Sequence, residues 1–105
     1  MRLKLATTEA ADGDVRDIAS YIAADNRRAA EQFEGELWSA FERIRDHADI
    51  GTPVKGYAAP LRSLRVSQRF HRYLIFYRHA DEQTIEIVRI LHGARDLTRL
   101  LADLG

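Results

Sequence analysis

Cysteine is absent from the chain. That excludes disulfides, zinc–thiolate centres and thiol nucleophiles, and it fits a reducing compartment. Proline occurs twice, as Pro53 and Pro60, so the strongest breaking signals fall in one stretch. Lysine also occurs twice, which leaves arginine as fourteen of the sixteen basic residues. No segment approaches the ~20 apolar residues of a membrane span. The start, Met1 to Asp12, lacks the apolar core of roughly 7–15 residues that marks a signal peptide. A cytoplasmic protein with no membrane association is therefore expected. No glycine-rich phosphate loop is present, and the four histidines lack ligand spacing. No metal, nucleotide or organic cofactor is expected.

With 105 residues, one domain spanning 1–105 is expected. The formal net charge is zero, but the halves differ. Residues 1–55 hold eight basic and eleven acidic side chains, whereas residues 56–105 hold eight basic and five acidic. Arginine binds carboxylates and phosphates through a planar fork and stacks well. The basic half thus points to an acidic partner, either nucleic acid or an acidic protein segment.

Leu3 and Leu5 alternate with Arg2 and Lys4, the pattern of a short strand with one buried face. Thr7 or Thr8 is placed to cap a helix beginning near Glu9. Ala11, Val15, Ile18 and Ile22 form its apolar stripe, while Asp12, Asp14, Arg16 and Asp17 lie off it. Gly13 weakens this helix by roughly 1 kcal/mol relative to alanine, which argues for a start nearer Asp14. Asn26 is suited to cap a second helix, with Ala30, Phe33, Leu37, Ala40, Phe41 and Ile44 at helical spacing and Trp38 bordering that stripe. The two make a helical hairpin.

Residues 49–60 carry two glycines and both prolines and are expected to form a loop. Three antiparallel strands follow, at Leu61 to Val66, Phe70 to Arg78 and Thr84 to His92, joined by short turns. In the last, Ile85, Ile87 and Leu91 are expected on one face and Val88 and Ile90 on the other, so both faces are apolar, as in a central strand. Arg89 there needs a partner or an exit to solvent. After Gly93, Asp96 caps a short terminal helix with Leu97, Leu100, Leu101 and Leu104 in one stripe. The expected class is α+β, in the order β-α-α-β-β-β with a short C-terminal helix, the hairpin packed on a small, mainly antiparallel sheet.

Three groups of residues carry a resemblance. The first helix has Ala11, Asp14, Val15, Ile18, Tyr21 and Ile22. The meander has Leu61-Arg62 and His71-Arg72-Tyr73-Leu-Ile-Phe-Tyr-Arg78. The third strand ends Ile87-Val-Arg-Ile-Leu-His-Gly-Ala-Arg-Asp96. Together, and in this order, they resemble the RelE/ParE superfamily of bacterial toxins, and the ParE branch most. Gly13, Ile90 in place of a usual valine, and His71 at a position that is often tyrosine depart from the pattern. The resemblance implies the toxin of a type II toxin–antitoxin system that inhibits DNA gyrase, with a ParD-like antitoxin as its partner in a hetero-oligomer. The RelE branch instead cleaves messenger RNA on the ribosome.

RNA cleavage through the 2′-hydroxyl needs a base and an acid flanking one phosphate. Arg95 sits where a RelE-like arginine would, but the tail after it has no tyrosine and no histidine to serve as the acid. A ribonuclease would have to use His71, His92 and Arg95. The alternative is that His92 caps a strand end and His71 is solvated. Arg62, Arg65, Arg69, Arg72 and Arg78 lie in a stretch without a single acid. They have three readings: a solvated face, a surface for an acidic antitoxin segment, or a surface for the target and nucleic acid it holds. Trp38 belongs either to the core or its rim, or is an antitoxin anchor, since tryptophan is enriched among binding hot spots. Tyr57 is a loop anchor. Arg95 and Asp96 are expected to pair and fix the tail, with Arg89 joining them; the alternative is that Arg89 and Arg95 serve the antitoxin- or target-binding surface.

Overall fold

A computed structural model describes residues 2–56, 60–93, 95 and 96. The elements are β1 (Lys4–Thr7), α1 (Glu9–Asp25), α2 (Arg27–Asp46), β2 (Thr52–Pro53), β3 (Arg62–Arg65), β4 (Tyr73–Asp81) and β5 (Thr84–His92). They form one five-stranded sheet in the order β1-β5-β4-β3-β2. β1 runs parallel to β5 and every other pairing is antiparallel. The fold is α+β, with two helices against a mixed sheet. Tyr57 and the expected terminal helix lie outside the described residues.

The helix starts follow from their caps. Thr8 is extended and its hydroxyl accepts the Ala11 N–H at 3.0 Å, so α1 begins at Glu9 despite Gly13. Asn26 closes α1 and opens α2, accepting the Ala29 N–H at 3.1 Å through its side chain. Ala30, Phe33, Leu37, Ala40, Phe41 and Ile44 are all buried, the stripe that the spacing predicts. All but Ala30 meet Ala11 and Ile18 of α1 and Ile75, Tyr77, Ile85, Ile87 and Ile90 of the sheet in the main core. A smaller cluster of Leu61, Phe76, Val88 and Leu91 is distinct from it, so the central strands bury apolar groups in both clusters.

The structure corrects three expectations. Within β5, Ile90 joins Ile85 and Ile87 in the main core, while Leu91 joins Val88 in the second cluster. The cause is a bulge. Phe76 pairs with Arg89 but Tyr77 pairs with Ile87, so Val88 is an extra residue that shifts the alternation by one. Next, β4 starts at Tyr73 rather than Phe70, because residues 69–72 are a turn that sends Phe70 onto Phe33 at 5.3 Å. Finally, the 49–60 stretch is not wholly loop: Thr52 and Pro53 pair with Ser63 and Arg62 as an edge strand. A two-residue edge ending in proline offers little for another strand to pair with.

Tyr77 holds the start of that edge in place. Its hydroxyl donates to the Ala48 carbonyl at 2.8 Å and accepts the Gly51 N–H at 2.8 Å. A Cβ on Gly51 would lie 2.5 Å from the same oxygen, so only glycine allows this approach.

Candidate functional site

The five arginines of the acid-free stretch do not act alike. Arg62 donates to the carbonyls of Asp49 and Gly51, at 3.2 and 2.7 Å, and so braces the chain leading into β2. Arg69 donates to Gln32 at 2.6 Å and lies 4.0 Å from Glu36, tying its turn to α2. Arg78 pairs with Glu86 directly across the β4–β5 ladder at 3.0 Å. These three spend their guanidinium groups within the fold. Arg65 and Arg72 are exposed, and among the described residues neither guanidinium makes a hydrogen bond or an ion pair.

Both free arginines line one groove of about 270 Å³, together with His71, Leu74, His92 and Gly93. The topology assembles it. Arg65 ends β3, His71 and Arg72 occupy the turn into β4, and His92 ends β5 opposite Tyr73. Gly93 donates its N–H to the Arg72 carbonyl at 2.8 Å. The His92 ring is held edge-on to Tyr73 at 5.5 Å, and its Nδ1 accepts the Arg95 N–H at 3.2 Å. That bond fixes the neutral tautomer with its proton on Nε2. His92 thus plays the strand-end capping role, and it also stands in the same groove as His71.

Arg89 is not a surface group. It is 8% exposed and pairs with Asp14 in a two-pronged contact, both prongs at 2.8 Å. The Asp14 carboxylate also accepts the Ile90 N–H at 3.0 Å. Beyond Thr7, β1 no longer pairs with β5, and α1 covers that open edge instead. Thr8 donates its hydroxyl to the Val88 carbonyl at 2.7 Å, and Asp14 satisfies Ile90. Burial of a carboxylate requires such compensation. Asp14 is the residue that helical periodicity misplaces on the solvent side. The only sequence signal for it is its place in the first-helix motif. Arg89 therefore has no guanidinium to offer an antitoxin or target. Arg95 pairs with Asp96 at 3.5 Å, as expected.

Trp38 is 59% exposed, which rules out the core and leaves the rim or an anchor. Its ring stands edge-on to Phe41 at 5.6 Å and borders an apolar groove of about 290 Å³. Leu37, Phe41, Ala11, Val15 and Ile90 give that groove its floor and walls. The hairpin and the end of β5 create it jointly. Tyr21 is likewise 69% exposed, beside a more polar groove that Asp14, Asp17, Arg95 and Asp96 line.

No group of three or more histidine, aspartate or glutamate side chains among the described residues is arranged to hold a metal. No helix among them is long and apolar enough to cross a membrane.

Comparison with known proteins adds to this geometry. No curated protein sequence is a significant match. A solved structure described as the chromosomal ParDE TA system from P. aeruginosa is similar in fold, with a TM-score of 0.69 at 18% identity. The similarity covers 87% of this chain and 96% of that one. Residues 5–97 match the family described as ParE toxin of type II toxin–antitoxin system, parDE. The strand, capped hairpin and meander derived above are the parts that this match spans, and the chain belongs to the ParE toxin family.

Proposed function

We propose that this protein is a toxin that arrests growth by binding DNA gyrase in the cytoplasm, and that a ParD-like antitoxin neutralises it in a hetero-oligomer. Family membership supports the toxin role. One observation carries the binding mechanism: an exposed tryptophan over an apolar groove, a feature that a protein partner would cover. The antitoxin presents apolar side chains to Trp38 and acidic ones to the arginine-bearing half. Charge complementarity of this kind speeds association and fixes register more than it raises affinity.

The competing reading is messenger cleavage. It is favoured by the meeting of His71 and His92 in one groove with two unpaired arginines. Two parallel reactions separate the mechanisms. Purified toxin is added to a gyrase supercoiling assay and to ribosomes translating a defined message. Loss of supercoiling with an intact message is the expected result. Site-specific cuts in the message with unaffected supercoiling would establish the ribonuclease instead.

A further inference from the structure

We infer that the groove formed by Arg65, His71, Arg72 and His92 is a phosphate-binding site. Its lining contains two guanidinium groups, two imidazoles, Leu74 and Gly93, and no acid. The other arginines of the stretch show what these side chains do when a partner is in reach: each takes a carbonyl, an amide oxygen or a carboxylate. Arg65 and Arg72, in the same chain segment, have no such partner among the described residues. An arginine pair left without internal acceptors on one concave surface is suited to an external anion.

The frame of the site is built before any ligand arrives. The turn carrying His71 and Arg72 is pinned on three sides. Phe70 packs on Phe33, Arg69 binds Gln32, and the Ser67 hydroxyl accepts the Phe70 N–H at 3.1 Å. His92 is set by Tyr73 and by the Arg95 N–H, so Nε2–H is its remaining donor. The turn and the His92 ring are thus ordered in advance, and the ordering cost on binding falls mainly on the Arg65 and Arg72 side chains. The donors come from three separate segments: the end of β3, the turn and the end of β5. Such an arrangement surrounds a group with three or four oxygens. A carboxylate presents two coplanar oxygens and is matched by a single fork. Phosphate is thus the better fit, and it can come from a nucleic-acid backbone or from a small phosphate compound. Binding there requires no cleavage.

Three probes test the assignment on the purified protein: fluorescein-labelled oligothymidylate, inorganic pyrophosphate, and a glutamate-rich peptide of similar net charge. The variant pair is Arg65→Ala/Arg72→Ala. The control pair is Arg27→Ala/Arg28→Ala, which removes the same charge at the start of α2, outside the groove. All four positions are exposed, so circular dichroism should be unchanged. The groove variant should weaken a phosphate probe by about tenfold or more. For the oligonucleotide, the dependence of log affinity on log salt should become shallower by about 0.7 for each phosphate that the groove no longer neutralises. The control should bind as the parent does. Oligothymidylate binding that pyrophosphate displaces identifies a backbone site. Pyrophosphate binding alone identifies a site for small phosphate compounds. Peptide binding with neither phosphate probe bound overturns the assignment, and so does an equal loss in the control pair.

Discussion

Tyr77 is 1% exposed, yet its hydroxyl is neither idle nor reactive. It bridges the Ala48 carbonyl and the Gly51 N–H, closing the chain between α2 and β2. Burial is the main reason its phenol titrates above the usual tyrosine value, with the Gly51 N–H and Arg62 pulling the other way. A raised value means that the folded state prefers the protonated phenol. The corresponding stability is complete below about pH 10, the unfolded value, and declines as pH rises through the folded value. Tyr77→Phe should lower stability by about 1–3 kcal/mol, because it leaves two buried backbone groups unsatisfied. Thermal melts of parent and variant should therefore differ at neutral pH and begin to converge only as pH rises past about 10 toward the folded value. A constant gap across that range would remove the phenol from the explanation. The same closeness accounts for Gly51, where any side chain would meet the tyrosine. Neither partner is visible from spacing, since the two residues are separated by an entire turn and strand.

At the scale of elements, local rules served the helices well. The α2 stripe and both caps sit where spacing and cap chemistry place them. The exception is the weight given to Gly13, whose cost is outmatched by the Thr8 cap and by packing on β5. A Cβ at Gly13 would meet only the tip of Arg16, at 3.8 Å, and one at Gly35 would meet nothing within 4 Å. Neither glycine is needed for close approach. Gly35→Ala should raise stability by about 0.5–1 kcal/mol by reducing the freedom of the unfolded chain. An unchanged denaturant midpoint for this variant would show that α2 is not rigid at that turn. Strands were harder to place. Alternation tracks faces only until a bulge interrupts it, and the bulge at Val88 exchanged Ile90 and Leu91 between faces. A two-residue strand such as β2 leaves no periodicity to detect.

Across the whole molecule, two surfaces stand apart, and they differ in character. One is the apolar groove beside Trp38, formed by the hairpin and the end of β5. The other is the cationic groove at the C-terminal ends of β3 and β5. Under the proposed function, Trp38→Ala should leave folding within about 0.5 kcal/mol of the parent, because the indole is largely solvated. It should weaken the antitoxin complex by about 2 kcal/mol or more, as titration calorimetry with a ParD-like partner would measure. Full affinity with an intact fold would move the antitoxin to another face. Separate surfaces for neutralisation and for anions would let the toxin be silenced at one while the other is exposed or covered by the same wrapped segment.

The order of elements, both helix caps, the apolar stripes and the arginine-rich, acid-free stretch are properties of residues close together in the chain. Propensity, spacing and charge therefore reveal them directly, and the family resemblance rests on the same local motifs. The division of the arginines did not emerge from the chain alone. Arg89 met Asp14 from 75 positions away and became part of the core. Arg62, Arg69 and Arg78 found acceptors on other elements, and Arg65 and Arg72 did not. A side chain's freedom depends on which acceptors the fold brings within hydrogen-bond reach, and sequence spacing carries no measure of that distance. Trp38, one position beyond the buried Leu37, shows the same limit on a helix: packing against neighbours, not periodicity, decided that it would face solvent.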